Sequence, residues 1–150
     1  SIIAWEEHLA DLELTIPDGF RPANFDIPFL SEAGPYYVKQ HEDGPYLVGC
    51  HIRPPHVNYI GIAHGGVLTT LADVALSYQA FRHTNPPTKV ATISLTTNFL
   101  AGARLGDWVV AECRIDRVGK QMTYVRGAIF VGERIILTAT AVFKNIGVAS

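Results

Sequence analysis

Residues 65–81 read GGVLTTLADVALSYQAF, between His64 and Arg82, and Asp73 is the only formally charged side chain in the run. On a wheel at about 100° per residue, Thr69, Ala80, Asp73, Gly66, Ser77 and Thr70 fall within about 100° of one another. Val74, Val67, Leu71, Ala75, Leu68 and Leu76 fill the other side. A stripe turned to water would carry Lys, Glu and Arg. This one carries Gly, Ala, Ser and Thr around a carboxylate, which suits close approach by a second helix or a ligand. The pattern predicts one long helix buried nearly all round. A buried carboxylate is costly without partners, so Asp73 needs hydrogen bonds or a chemical task. The structural alternative is an Asp satisfied by Thr69, Thr70 or Ser77.

Immediately before the helix stands Asn58-Tyr59-Ile60-Gly61-Ile62-Ala63-His64-Gly65-Gly66. Two glycines at a helix start let a substrate oxygen approach the backbone with no Cβ in the way. The first-turn N–H groups have no partner inside the helix and present the positive end of its dipole. That is the chemistry of an oxyanion hole. A Gly-Gly pair alone marks most often only a turn. The signal lies in its combination with Asn58, His64 and Asp73.

Past the helix, four strand-like runs follow at Val90–Leu100, Asp107–Val118, Met122–Val131 and Arg134–Lys144. Short glycine-containing breaks separate them, which predicts a four-stranded antiparallel meander. In the second run Val109, Ala111, Cys113 and Ile115 alternate with Trp108, Val110, Glu112 and Arg114. Before the helix, Tyr36–Gln40 and Tyr46–Ile52 read as a hairpin ended by Pro54 and Pro55. The stretch from Thr15 to Gly34 holds Pro17, Gly19, Pro22 and Pro28, which argues against regular structure. Its Phe20, Phe25 and Phe29 predict a loop packed down on the domain. Ile2, Trp5, Leu9 and Leu12 suggest a short N-terminal amphipathic helix. One long helix against an antiparallel sheet is an α+β domain. Residues 1–34 read as a packed extension and 35–150 as the domain proper.

A chain of 150 residues with 48% hydrophobic and 17% charged residues can bury about 68–70% of its unfolded surface, which excludes a disordered chain. Its charged fraction lies below the roughly 25% usual for soluble domains, which suggests apolar surface covered by another subunit. The net charge of −2 offers no basic footprint for nucleic acid. Cys50 and Cys113 read as buried thiols of a reducing compartment. No 18-residue apolar run suggests a membrane span, and Glu6 and Glu7 come too early for a signal peptide. The expectation is a soluble, cytoplasmic protein. His51, His56 and His64 lack the spacing of a zinc site, and no metal or other cofactor is expected.

Asn58, His64-Gly65-Gly66 six residues later and Asp73 nine residues after the histidine resemble the hotdog-fold acyl-CoA thioesterases, closest to their phenylacetate-degradation branch. Leu95-Thr96-Thr97-Asn98-Phe99-Leu100 followed by Arg104-Leu105-Gly106-Asp107 resembles the strand and turn after the central helix of that family. The likeness runs from about Tyr36 to Lys144. It implies a long helix wrapped by a curved antiparallel sheet, acyl-CoA as substrate, and homodimers or dimers of dimers with active sites at the subunit interface. It also implies that Asp73 acts as general base or nucleophile and that the Gly65 N–H polarises the thioester carbonyl. By the same likeness His64 holds that turn, Asn58 binds the attacking water or the carbonyl, and Thr92 assists the water. Gly66 and Ser77 on the polar stripe are the candidate substrate contacts, and the loop with Phe20, Phe25 and Phe29 could shape the acyl pocket, although packing alone explains it as well.

Two other readings stand beside hydrolysis. A hotdog hydroxyacyl-thioester dehydratase ranks below it, because His-Gly-Gly replaces the catalytic histidine pattern of those enzymes. A non-catalytic acyl-CoA-binding module differs by releasing no thiol. Helix arithmetic adds one constraint: nine residues separate His64 from Asp73, about 13–14 Å of rise. An oxyanion donor and an attacking group must both lie within about 3 Å of one reacting centre. One chain cannot easily supply both, so a two-fold pair of antiparallel helices is expected.

Overall fold

The computed structural model describes residues 14–42 and 44–149. The expected N-terminal helix over residues 1–12 lies outside the described residues. In chain order the elements are β1 (Arg21–Pro22), α1 (Pro28–Ala33), β2 (Tyr37–Gln40), β3 (Tyr46–His51), a 3₁₀ turn (Pro54–His56) and α2 (Gly65–Arg82). Then follow β4 (Thr88–Phe99), β5 (Trp108–Val118), β6 (Met122–Val131) and β7 (Arg134–Val148). The strands form one antiparallel sheet in the order β1-β2-β3-β5-β6-β7-β4. Shifts of register bend β4 between Thr92 and Ser94 and β5 between Ile115 and Arg117. One long helix against one antiparallel sheet is the expected α+β, hotdog arrangement.

The strand order corrects the expected meander. β5, β6 and β7 are consecutive neighbours, but β4 pairs with β7 at the far edge and β5 pairs with β3. The connection after β4 is not a tight turn. It passes the start of α2, where the Ala63 N–H donates to the Ala103 carbonyl at 2.7 Å and Ile62 bridges Arg104. Local turn residues at Gly102 and Gly106 therefore reported a loop correctly and its partner wrongly.

Leu68, Leu71, Ala72, Ala75 and Leu76 of α2 pack on the inner face of the sheet. Val109, Ala111 and Cys113 are buried on that face, as their alternation predicts, and so are Val48 and Cys50 of β3. Both cysteines are free, and burial pushes each thiol up to about 12, so they are inert core residues at neutral pH. The opposite stripe corrects the expectation of burial all round. Thr69, Thr70, Asp73 and Ser77 are half-buried and Gly66 is exposed, whereas Ala80 is buried in the core of this chain. Gln79, also buried, accepts from the Tyr46 N–H at 2.8 Å and fixes α2 to the start of β3.

The proline-rich stretch before β2 is more regular than expected. β1 pairs with β2, and α1 has Pro28 in its first turn, where a missing N–H costs nothing. Phe20 meets the Trp108 ring edge-on at 5.1 Å, and Phe25 meets Tyr78 of α2 at 5.7 Å. Phe29 departs from the expectation and is 64% exposed. Gly49 of β3 supports this packing, because a Cβ there would overlap the Trp108 indole. His51 meets the same ring edge-on at 4.9 Å. Gly49→Ala should therefore lower stability by about 1–3 kcal/mol, the usual range for overpacking. Urea unfolding would show this as a lower midpoint at unchanged slope. An unchanged midpoint would mean that the indole is not held on the strand.

Candidate active site

The turn into α2 is built by nested hydrogen bonds. The Asn58 Oδ1 accepts from the Ile60 N–H at 3.1 Å and the Ile62 N–H at 3.3 Å, while the Asn58 N–H donates to the Ile62 carbonyl at 2.8 Å. Gly61, at φ 85°, supplies the left-handed residue that the reversal needs. With its oxygen committed to the loop, the Asn58 carboxamide has its NH₂ left for another partner. His64 is the N-cap of α2, and its Nδ1 accepts from the Gly66 N–H at 3.1 Å. The His64 N–H in turn donates to the His56 carbonyl at 2.8 Å. The Gly65 N–H has no acceptor among the described residues and sits at the positive end of an 18-residue helix.

Asp73 lies in the middle of α2, and its Oδ1 accepts from the Thr92 hydroxyl of β4 at 2.7 Å. The suggested structural partners are otherwise engaged: Thr70 Oγ1 donates to the Gly66 carbonyl and Ser77 Oγ to the Val74 carbonyl. Asp73 is thus oriented by one hydroxyl and half-buried, and its second oxygen has no hydrogen-bond partner among the described residues. The structure brings Thr92 to Asp73, and Asn58, His64 and Gly66 to the Gly65 turn. It does not bring the two groups together within one chain. Gly65 and Asp73 are eight residues apart in one continuous helix, about 12 Å along the axis.

His56 has a role that its sequence position did not reveal. The Arg53 N–H donates to His56 Nδ1 at 3.0 Å, and Nε2 bonds the Ala33 carbonyl at 2.6 Å. A neutral ring protonated on Nε2 satisfies both. Burial pushes its pKa below the ordinary histidine value, which favours that neutral form. Arg53 adds a guanidinium hydrogen bond to the Gly34 carbonyl. Together they fasten the end of α1 beside the turn into α2. The result is a cleft of about 420 Å³ lined by Phe29, Ala33, Tyr36, Val57, His64, Gly66, Val67 and Thr70, among others. Of this cleft, the glycine turn and Phe29 were legible in the sequence, and the helix that carries Phe29 was not. Pro28 at a helix start was the one available signal.

A carboxylate held by a threonine and an unpartnered N–H at a glycine-opened helix start match chemistry on an acyl carbonyl. Residues 60–138, more than half of the chain and spanning both groups, match the family model described as Thioesterase superfamily. The chain belongs to the thioesterase superfamily. As a member of that superfamily it is a thioester hydrolase with the hotdog fold. A curated relative from Pseudomonas aeruginosa, named "Putative esterase PA0474", is 35% identical over 87% of this chain and 97% of its own. Among solved structures, a Streptococcus pneumoniae thioesterase crystallised with coenzyme A superposes with a TM-score of 0.70. It is 22% identical and covers 87% of this chain and 98% of that one. A mutant of the phenylacetic acid degradation protein PaaI from Thermus thermophilus gives a TM-score of 0.70 at 22% identity, covering 80% and 100%. These structural likenesses show a shared fold. No helix among the described residues of this thioesterase is long and apolar enough to cross a membrane.

Proposed function

We propose that the substrate of this thioesterase is an acyl-CoA, cleaved to the free acid and CoA at a site shared by two chains. The observation that carries the chemistry is the 2.7 Å hydrogen bond that aims Asp73 from Thr92. In one version Asp73 takes a proton from water, and the resulting hydroxide attacks the thioester carbonyl. In the other the carboxylate itself attacks, CoA thiolate leaves, and water cleaves the mixed anhydride. Either way negative charge grows on the carbonyl oxygen, and the Gly65 N–H is the donor left to receive it. His64 holds that N–H in place by capping the turn. The Asn58 NH₂ points to the carbonyl or the water as its partner. Gly66 adjoins the Gly65 turn and Ser77 lies one turn beyond Asp73 on the same stripe, the two remaining the candidate substrate contacts, and the chemistry calls for no metal or cofactor.

The separation of Gly65 from Asp73 supports a site built by a homodimer. The half-buried stripe on α2 is small-sided at Thr69 and Ser77, outside the cleft lining, so a second helix can come close there. Beside it, β4 is an edge strand twelve residues long, with Ile93 56% and Phe99 53% exposed. A long apolar edge of this kind is a liability unless another chain covers it. Coenzyme A in the Streptococcus pneumoniae structure, and acetyl-CoA in a Streptococcus mutans structure of TM-score 0.70, favour a CoA thioester.

Thiol release over a panel of short, long and aromatic acyl-CoAs tests this reading, and silence across the panel would refute it. Gly65→Val tests the helix start. A Cβ there meets only the exposed Phe99 ring, at 3.4 Å, so the protein should remain folded. The side chain would stand where the carbonyl oxygen approaches, and kcat should fall about 100-fold, the loss typical of one missing oxyanion donor. An unaffected rate would remove the Gly65 turn from the mechanism.

A further inference from the structure

We infer that the cleft between α1 and the first turns of α2 receives the acyl body of the substrate and selects neutral, apolar chains longer than acetyl. The inference rests on the thioesterase reading above and adds to it a specificity wall. The cleft is continuous with the oxyanion turn, because His64 and Gly66 form one end of it. A carbonyl placed at Gly65 therefore points its alkyl side into this space or away from the protein. The volume of about 420 Å³ lies within the range of small-molecule sites. Its depth can be read from burial: Tyr36 and His56 are each 3% exposed and form the floor, while Phe29 and Glu32 are exposed and form the rim.

The lining decides what fits. Phe29, Ala33, Pro55, Val57 and Val67 are apolar. Phe29 is a large ring left in water on a segment whose other two phenylalanines are packed against Trp108 and Tyr78. An acyl chain lying under it would recover that area from water. Among the described residues no lysine or arginine lines the cleft. His56 is held neutral between the Arg53 N–H and the Ala33 carbonyl, and the Arg53 guanidinium is turned to the Gly34 carbonyl behind the wall. Among the described lining residues, Glu32 carries the one full formal charge, on the rim. An acyl group ending in a carboxylate would meet repulsion and desolvation there with no counter-charge, so the cleft discriminates against it.

The test compares kcat/KM for acetyl-CoA, hexanoyl-CoA and adipoyl-CoA, the last having six carbons and a terminal carboxylate. The wild-type protein should prefer hexanoyl-CoA to both. Phe29→Ala, at a position 64% exposed and outside the core, should cut the hexanoyl-to-acetyl ratio about tenfold. Glu32→Lys should raise the adipoyl-to-hexanoyl ratio about tenfold. Ratios that neither variant moves would overturn the cleft as the acyl pocket while leaving thioester hydrolysis standing. Absence of thiol release from all three substrates with the wild-type protein would instead overturn the acyl-CoA reading itself.

Discussion

Asp73→Ala should lower kcat at least about 100-fold, the lower end of what a positioned acid or base contributes. The fold should survive the change, because alanine is the best helix former and Asp73 sits on the half-buried stripe, away from the core. Asp73→Asn sharpens the experiment. The amide oxygen can still accept from the Thr92 hydroxyl, so the contact to β4 is kept while the basic, nucleophilic carboxylate is lost. Both variants should be equally inactive with unchanged thermal midpoints. Wild-type turnover in either one would return Asp73 to a structural role, with Thr92 as its partner.

Mixing two dead variants should restore activity. Asp73→Ala chains retain an intact Asn58 and Gly65 turn, and Asn58→Ala chains retain an intact Asp73. If each site takes its carboxylate from one chain and its turn from the other, every heterodimer has one wild-type site and one doubly altered site. Random pairing at equal concentrations makes half the dimers mixed, so about one-quarter of wild-type activity should return. Because Asn58 also caps the N–H groups of Ile60 and Ile62, the same mixing should be done with Gly65→Val, which leaves that loop untouched. No recovery in demonstrably mixed dimers would rule out a shared site, and a fully active monomer would do the same.

Much of this is written locally. The small-residue stripe around Asp73, the glycines at 65 and 66 and the alternation in β5 are statements about neighbours in sequence. Helix and strand periods turn such neighbours directly into faces. The same logic placed the start of α2 and both ends of β6 without error, because His64 caps the helix and turn residues bound the strand. It failed where the deciding partner is remote. The residues after β4 look like any hairpin turn, yet Ala63 and Ile62, some forty residues earlier, capture them and send β5 to the other side of the sheet. Likewise, proline density around Pro28 read as irregular, although a proline in the first turn is compatible with a helix.

The sequence by itself determined the α+β class, the long helix, the membership signal of the glycine turn and the two candidate centres on that helix. Each depends on spacing along one element. Only the tertiary structure decided that Thr92, not Thr69, Thr70 or Ser77, orients Asp73, since that hydroxyl comes from β4 across the sheet. Only it showed that His56 and Arg53 bind the carbonyls of Ala33 and Gly34 and so open a cleft beside the turn. These are contacts between residues about twenty apart, joined through backbone carbonyls. A carbonyl is the same at every position, so no residue type in the sequence marks which one will be bound.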